Sequence, residues 1–61
     1  MTETFRQINQ LSEERFNLYR LAGKQHLTEA QRARITEITH QLEVLWDQHR
    51  REEVQAHRPA A

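Results

Sequence analysis

Glu37 and His40 stand in a Glu-x-x-His arrangement. On a helix that spacing presents a carboxylate and an imidazole on one face, and di-iron helical bundles use it together with carboxylates from neighbouring helices. Such a site needs both groups inside the bundle. Here the apolar periodicity turns Ile38 inward and Glu37 and His40 outward, so the pair reads as a solvated face. A metal-binding bundle that adds acids of the first helix is the lesser alternative. His49 lies on the apolar seam one turn after Leu45. Imidazole titrates near neutrality, so a proton- or metal-sensitive contact is one reading. The favoured one is a hydrogen-bonded or half-exposed histidine where the seam opens. His26 and His57 have no partners in the sequence. Glu13 and Glu14 are adjacent carboxylates, but nothing in the chain builds a pocket around them, and they read as surface charges.

The remaining chemistry is sparse. There is no Gly-rich phosphate loop, nucleophile elbow or Ser/His/Asp set. There is no cysteine for a disulfide or a thiolate site. A two-helix chain does not readily enclose a small-molecule pocket. No catalytic residue, metal or cofactor is expected, and the protein reads as a non-enzyme. Gln48-His49-Arg50-Arg51 is the most basic spot, yet Glu52 and Glu53 follow directly, and nine basic residues balance nine acidic ones along the chain. Neither half carries the charge excess of a nucleic-acid or anionic-membrane footprint. No apolar run approaches the ~18 residues of a membrane span, nor does a basic segment precede an apolar one as in a signal peptide. A cytoplasmic protein is the default expectation.

What must position these residues is a pair of helices. From Thr2 or Thr4 to Ala22 a seven-residue repeat places Met1, Ile8, Arg15 and Ala22 on one seam position and Thr4, Leu11 and Leu18 on the other, with Phe5, Ser12 and Tyr19 beside it. Gly23 is expected to end this helix in the left-handed conformation. Thr28-Glu29-Ala30-Gln31 has the form of a capping box. The second helix then runs from about residue 29 to 56, with Ile35, Ile38, Leu42, Leu45 and His49 on its seam and Trp46 alongside. Asp47 and Arg51 are four apart in the stabilising order. The fold expected is an all-α antiparallel hairpin, one domain over 1–58 with a disordered tail at 59–61.

A connection of about five residues makes the helices antiparallel neighbours. With the turn centred near Gln25, Arg15 is expected opposite Ile35, Leu11 opposite Ile38 and Thr39, Ile8 opposite Leu42, and Phe5 opposite Leu45 and Trp46. The last two turns of the second helix would then project past the first. Arg15 could cross the seam to a carboxylate, mark a dimer boundary where a polar residue fixes register, or extend its stem to water.

Leu42-Glu43-Val44-Leu45-Trp46-Asp47-Gln48-His49-Arg50-Arg51 resembles the second-helix signature of a family of small, mostly actinobacterial proteins catalogued as a domain of unknown function, whose members carry Trp-Asp-Leu-Leu-Arg. Leu42, Trp46, Asp47 and Arg50 match that element, and Ile8, Leu11, Glu13, Glu14, Leu18 and Gly23 fit the family's first helix and turn. Gln48 and His49 stand where the family has leucines, and Phe16 where it often has histidine. The resemblance spans about residues 8 to 51. It implies a small helical hairpin and no established activity.

A chain this short buries only about 60% of the surface its unfolded form exposes, and domains of its size lean on a staple such as self-association. Phe16, Leu21, Val44 and Val54 lie off the seam with nothing to pack against in a lone hairpin. The expectation is therefore a homodimer that closes into a four-helix bundle, with an unidentified protein partner as the other possibility. Candidate interface residues are Phe16, Leu21, Val44, Trp46, Asp47, His49 and Arg50. Trp46 is the anchor type, and Asp47 and Arg50 would form its polar rim. Its structural alternative is to plug the open end of the hairpin against Phe5. The functional alternative is a small transcription-linked regulator, anti-sigma-like or touching nucleic acid weakly through Arg50, Arg51 and Arg58.

Overall fold

The computed structural model describes residues 2–57. Two helices, α1 (Glu3–Ala22) and α2 (Glu29–Ala56), pack against each other. Among the described residues there is no strand, and no helix is long and apolar enough to cross a membrane. Both N-termini are capped by threonine. Thr2 Oγ1 accepts from the amide of Phe5 at 3.1 Å. At Thr28 the box closes reciprocally: the Gln31 amide donates to Thr28 Oγ1 (3.1 Å) and the Thr28 amide donates to Gln31 Oε1 (2.8 Å). Each arrangement satisfies donors that the first helical turn leaves without partners.

The end of α1 departs from expectation. Gly23 has φ −73° and ψ −13°, a right-handed backbone. The Gly23 amide donates to the carbonyls of Tyr19 and Arg20, and the amides of Lys24 and Gln25 both donate to that of Leu21, at 2.9–3.3 Å. Six residues separate the helices, so the chain reverses gradually and satisfies its last carbonyls without a left-handed residue.

The core is small. Ile8, Ile38 and Leu42 are buried, with Leu11, Leu18 and Leu45 packed against them. Thr4, on the same seam, is the one buried polar residue among those described. Ala22 is exposed, so the seven-residue pattern stops burying side chains before the turn.

The register also differs from the expected one. Near the turn Glu14 pairs with Arg34. In the middle Arg15 reaches Thr39, not Ile35. At the open end Thr4 lies between Gln48 and Glu52, and Phe5 meets the ring of His49. The contacts at Arg15 and at the open end thus lie about one helical turn further along α2 than expected, while Glu14 meets Arg34 on the other side of the seam. As a result Glu52 is still opposite α1, and the part of α2 that overhangs is nearer one turn than two. The expected tail at 59–61, the seam position of Met1 and the basic contribution of Arg58 lie outside the described residues.

Candidate functional site

The open end of the hairpin is built around Thr4. Its hydroxyl donates to Glu52 Oε2 at 3.0 Å and accepts from Gln48 Nε2 at 3.2 Å. One helical turn of α2 supplies both partners, because residues four apart stack on one face. His49 fills the space beside them between two other rings. Phe5 lies 5.5 Å away by ring centroids, and Trp46 meets it edge-on at 5.6 Å, a favoured aromatic geometry. Trp46 therefore does not close the end against Phe5 directly; His49 stands between them. The histidine is mostly buried, and its Nδ1 has no hydrogen-bond partner among the described residues. Its nearest carboxylate is Glu53, 4.0 Å from Nε2. Of the hydrogen-bonded or half-exposed histidine expected from sequence, the structure shows a partly exposed one held mainly by ring contacts.

Toward the turn the two helices are joined by Glu14 and Arg34. Arg34 donates from Nε and Nη2 to the two carboxylate oxygens at 2.5 and 2.9 Å, and from Nη1 to Glu37 Oε1 at 2.8 Å. The hydrogen bonds from Arg34, reinforced by its charge, hold the Glu14 carboxyl below its ordinary value against a smaller effect of desolvation. The same contact raises the guanidinium of Arg34. Glu14 is therefore a cross-helix tie and not a free surface charge. Glu37, exposed, also accepts from Gln41, and His40 is exposed. Among the described residues no three His, Asp or Glu side chains gather where they could hold a metal ion.

Arg15 crosses the seam, but to a hydroxyl: its Nη1 donates to Thr39 Oγ1 at 3.3 Å. Thr39 in turn donates to the carbonyl of Ile35 at 2.9 Å. A cation on the seam is accommodated by a threonine whose own proton is committed elsewhere.

The hairpin has two flanks, and the candidate interface residues divide between them. On one flank Leu11, Val44 and Leu45 line a recess of about 560 Å³, rimmed by Gln7, Gln10 and Gln41 and by the Glu14–Arg34 pair. Leu21, half-buried, stands seven residues beyond Glu14 and fourteen beyond Gln7, which places it on this same side of α1. On the other flank two shallow recesses share Thr39 and Glu43; one reaches Trp46 and Arg50, the other Tyr19 and Ile35. Phe5 and Trp46 meet His49 at the end of this flank. Phe16 lies four residues after Ser12 and three before Tyr19, on the same strip of α1, where the guanidinium of Arg20 approaches its ring at 6.0 Å. All four aromatic residues of the chain thus gather on one side. Asp47 binds Arg51 at 2.8 Å and Arg50 at 3.4 Å, so it serves its own helix.

Comparison of the chain with family models, with curated proteins and with solved structures finds no match. The resemblance through Leu42, Trp46, Asp47 and Arg50 accordingly rests on those residues alone. What the arrangement offers chemically is contact surface: one flank aromatic, the other a recess with an amide-rich rim.

Proposed function

We propose that this protein acts by contact and not by catalysis, as a helical hairpin that self-associates into a four-helix bundle. The observation that carries the reading is the mismatch between core and surface. Among the described residues only three apolar side chains are buried, while Phe16, Tyr19, Val44, Trp46 and Val54 are each more than 40% exposed. The chain exposes 5151 Å², against about 4,200 Å² expected of a compact monomer of 7.4 kDa. The surplus, about 900 Å², is close to the ~800 Å² that each partner contributes to a stable interface. Two hairpins stacked on one flank would cover much of it and give the off-seam side chains of that flank neighbours.

Light scattering across a hundredfold concentration range, with helicity followed by circular dichroism, tests this reading. The expected result is a mass of twice 7.4 kDa, with helicity falling as dilution drives dissociation. A well-folded monomer at every concentration would refute self-association and leave the exposed flanks to a different protein.

A further inference from the structure

The aromatic flank has an internal symmetry. Phe5, Ser12 and Tyr19 recur every seven residues along α1, a spacing that keeps a strip of one helix facing the same neighbour over its length. The order is large, small, large. An antiparallel copy that sets Ser12 on Ser12 therefore sets Phe5 on Tyr19 at one end and Tyr19 on Phe5 at the other.

We infer that a second copy of this chain docks on the aromatic flank, α1 against α1 and antiparallel, with the twofold axis at Ser12. This rests on the self-association argued above and adds the surface and the geometry. A twofold contact must be self-complementary, residue i meeting j and j meeting i, and the strip satisfies this with a ring over a ring at each end. Ser12 is half-buried already, and its small side chain lets the helices approach at the axis. Phe16 adds a second exposed ring to the strip, 60% exposed beside Tyr19 at 54%. None of these four positions is charged, so a copy meets no like charge along them. Arg15 is turned into the seam toward Thr39, and the guanidinium of Arg20 lies against the Phe16 ring at 6.0 Å.

The opposite flank fails the same requirement. Its strip at equal spacing is Gln7, Glu14 and Leu21. Antiparallel pairing there would set Glu14 on Glu14 and Gln7 on Leu21. Each Glu14, with the Arg34 that holds it, would meet its own copy at the axis, and a polar amide would cover each leucine.

The chain has no cysteine, so disulfide trapping is clean. Ser12→Cys is to be oxidised at a concentration where the parent chain is dimeric by light scattering, beside Gln10→Cys, which lies on the recess side. Expected is rapid conversion of Ser12→Cys to a covalent dimer of undiminished helicity, at least tenfold faster than Gln10→Cys. In parallel, Tyr19→Arg is expected to weaken dimerisation by about a hundredfold or more, while Val44→Arg on the recess changes it less than threefold. Both positions are exposed, so neither substitution disturbs the buried core. A parent dimer that Val44→Arg breaks and Tyr19→Arg spares, with no preference for Ser12→Cys, would overturn this docking while preserving self-association. A parent chain that is monomeric throughout would overturn both.

Discussion

The hydroxyl of Thr4 stands between Gln48 and Glu52, accepting from one at 3.2 Å and donating to the other at 3.0 Å. Thr4 is 5% exposed, and the second oxygen of Glu52 is buried without a hydrogen-bond partner among the described residues. Thr4 is thus the main described partner of a carboxylate that is already short of them.

Replacing it by valine keeps the shape and removes the donor. Leaving a part-buried acceptor with one partner fewer costs about 1–3 kcal/mol. Thr4→Val is therefore expected to lower the urea midpoint well below that of Thr4→Ser, which keeps the hydroxyl. Equal midpoints for the two variants would show that the hydrogen bond contributes nothing and that only the methyl matters.

A second expectation concerns acid. The carboxyl of Glu14 is held below its ordinary value of 4.5 by Arg34, so folding favours its ionised form. For a lowered carboxylate the stabilisation is complete above the unfolded value and is lost as pH falls through the folded one. The parent chain should therefore exceed Glu14→Gln in denaturant midpoint at pH 7, with the gap closing as pH drops below 4.5. The pair is part-exposed, so added salt should narrow the gap at pH 7 as well. A gap that persists unchanged at pH 3 would assign it to packing of the side chain and not to its charge.

Gly23 gives the third. Its backbone is right-handed, and a Cβ placed there would come no closer than 3.4 Å to the carbonyl oxygen of Arg20. An alanine fits that conformation and has less freedom to lose from the unfolded chain, which stabilises by about 0.4–1 kcal/mol where no strain is added. Gly23→Ala is expected to raise the midpoint of thermal unfolding. A lowered midpoint would mean that the turn needs glycine in some conformation other than this one.

The helix limits were legible in the chain because their signals are local. Thr28 and Gln31 satisfy each other within a single turn, and the seven-residue repeat reports burial at Ile8, Ile38 and Leu42 directly. The tie between Glu14 and Arg34 was not legible. It depends on register, and register depends on how six connecting residues reverse the chain. The left-handed expectation at Gly23 failed for the same reason: a longer connection spreads the reversal over several ordinary residues. The flanks were legible only in part. Periodicity taken one helix at a time gives the angle of Phe16 or Val44 from the seam. It does not say which residues of the other helix share that side, so Trp46 and Val44 were grouped together although they face opposite ways. His49 was correctly placed on the seam, but its position between Phe5 and Trp46 follows from contacts that lie one helical turn further along α2 than the connection length implies.

The three fully packed apolar residues have a further consequence. Ile8, Ile38 and Leu42 form the apolar centre of the hairpin, with Leu11, Leu18 and Leu45 packed against it, and no buried residue lies between them and the turn among those described. Opening of the arm at the turn exposes little buried surface and leaves this centre intact, while the open end is held further by Thr4 and the rings about His49, so the turn arm opens at the lower free-energy cost. Amide hydrogen exchange should register this as a gradient: slowest around Ile38 and Leu42, faster toward Ala22 and toward Val54. A second copy lying along α1 from Phe5 to Tyr19 would flatten that gradient by clamping both arms at once, so protection of the outer amides would itself become a measure of assembly.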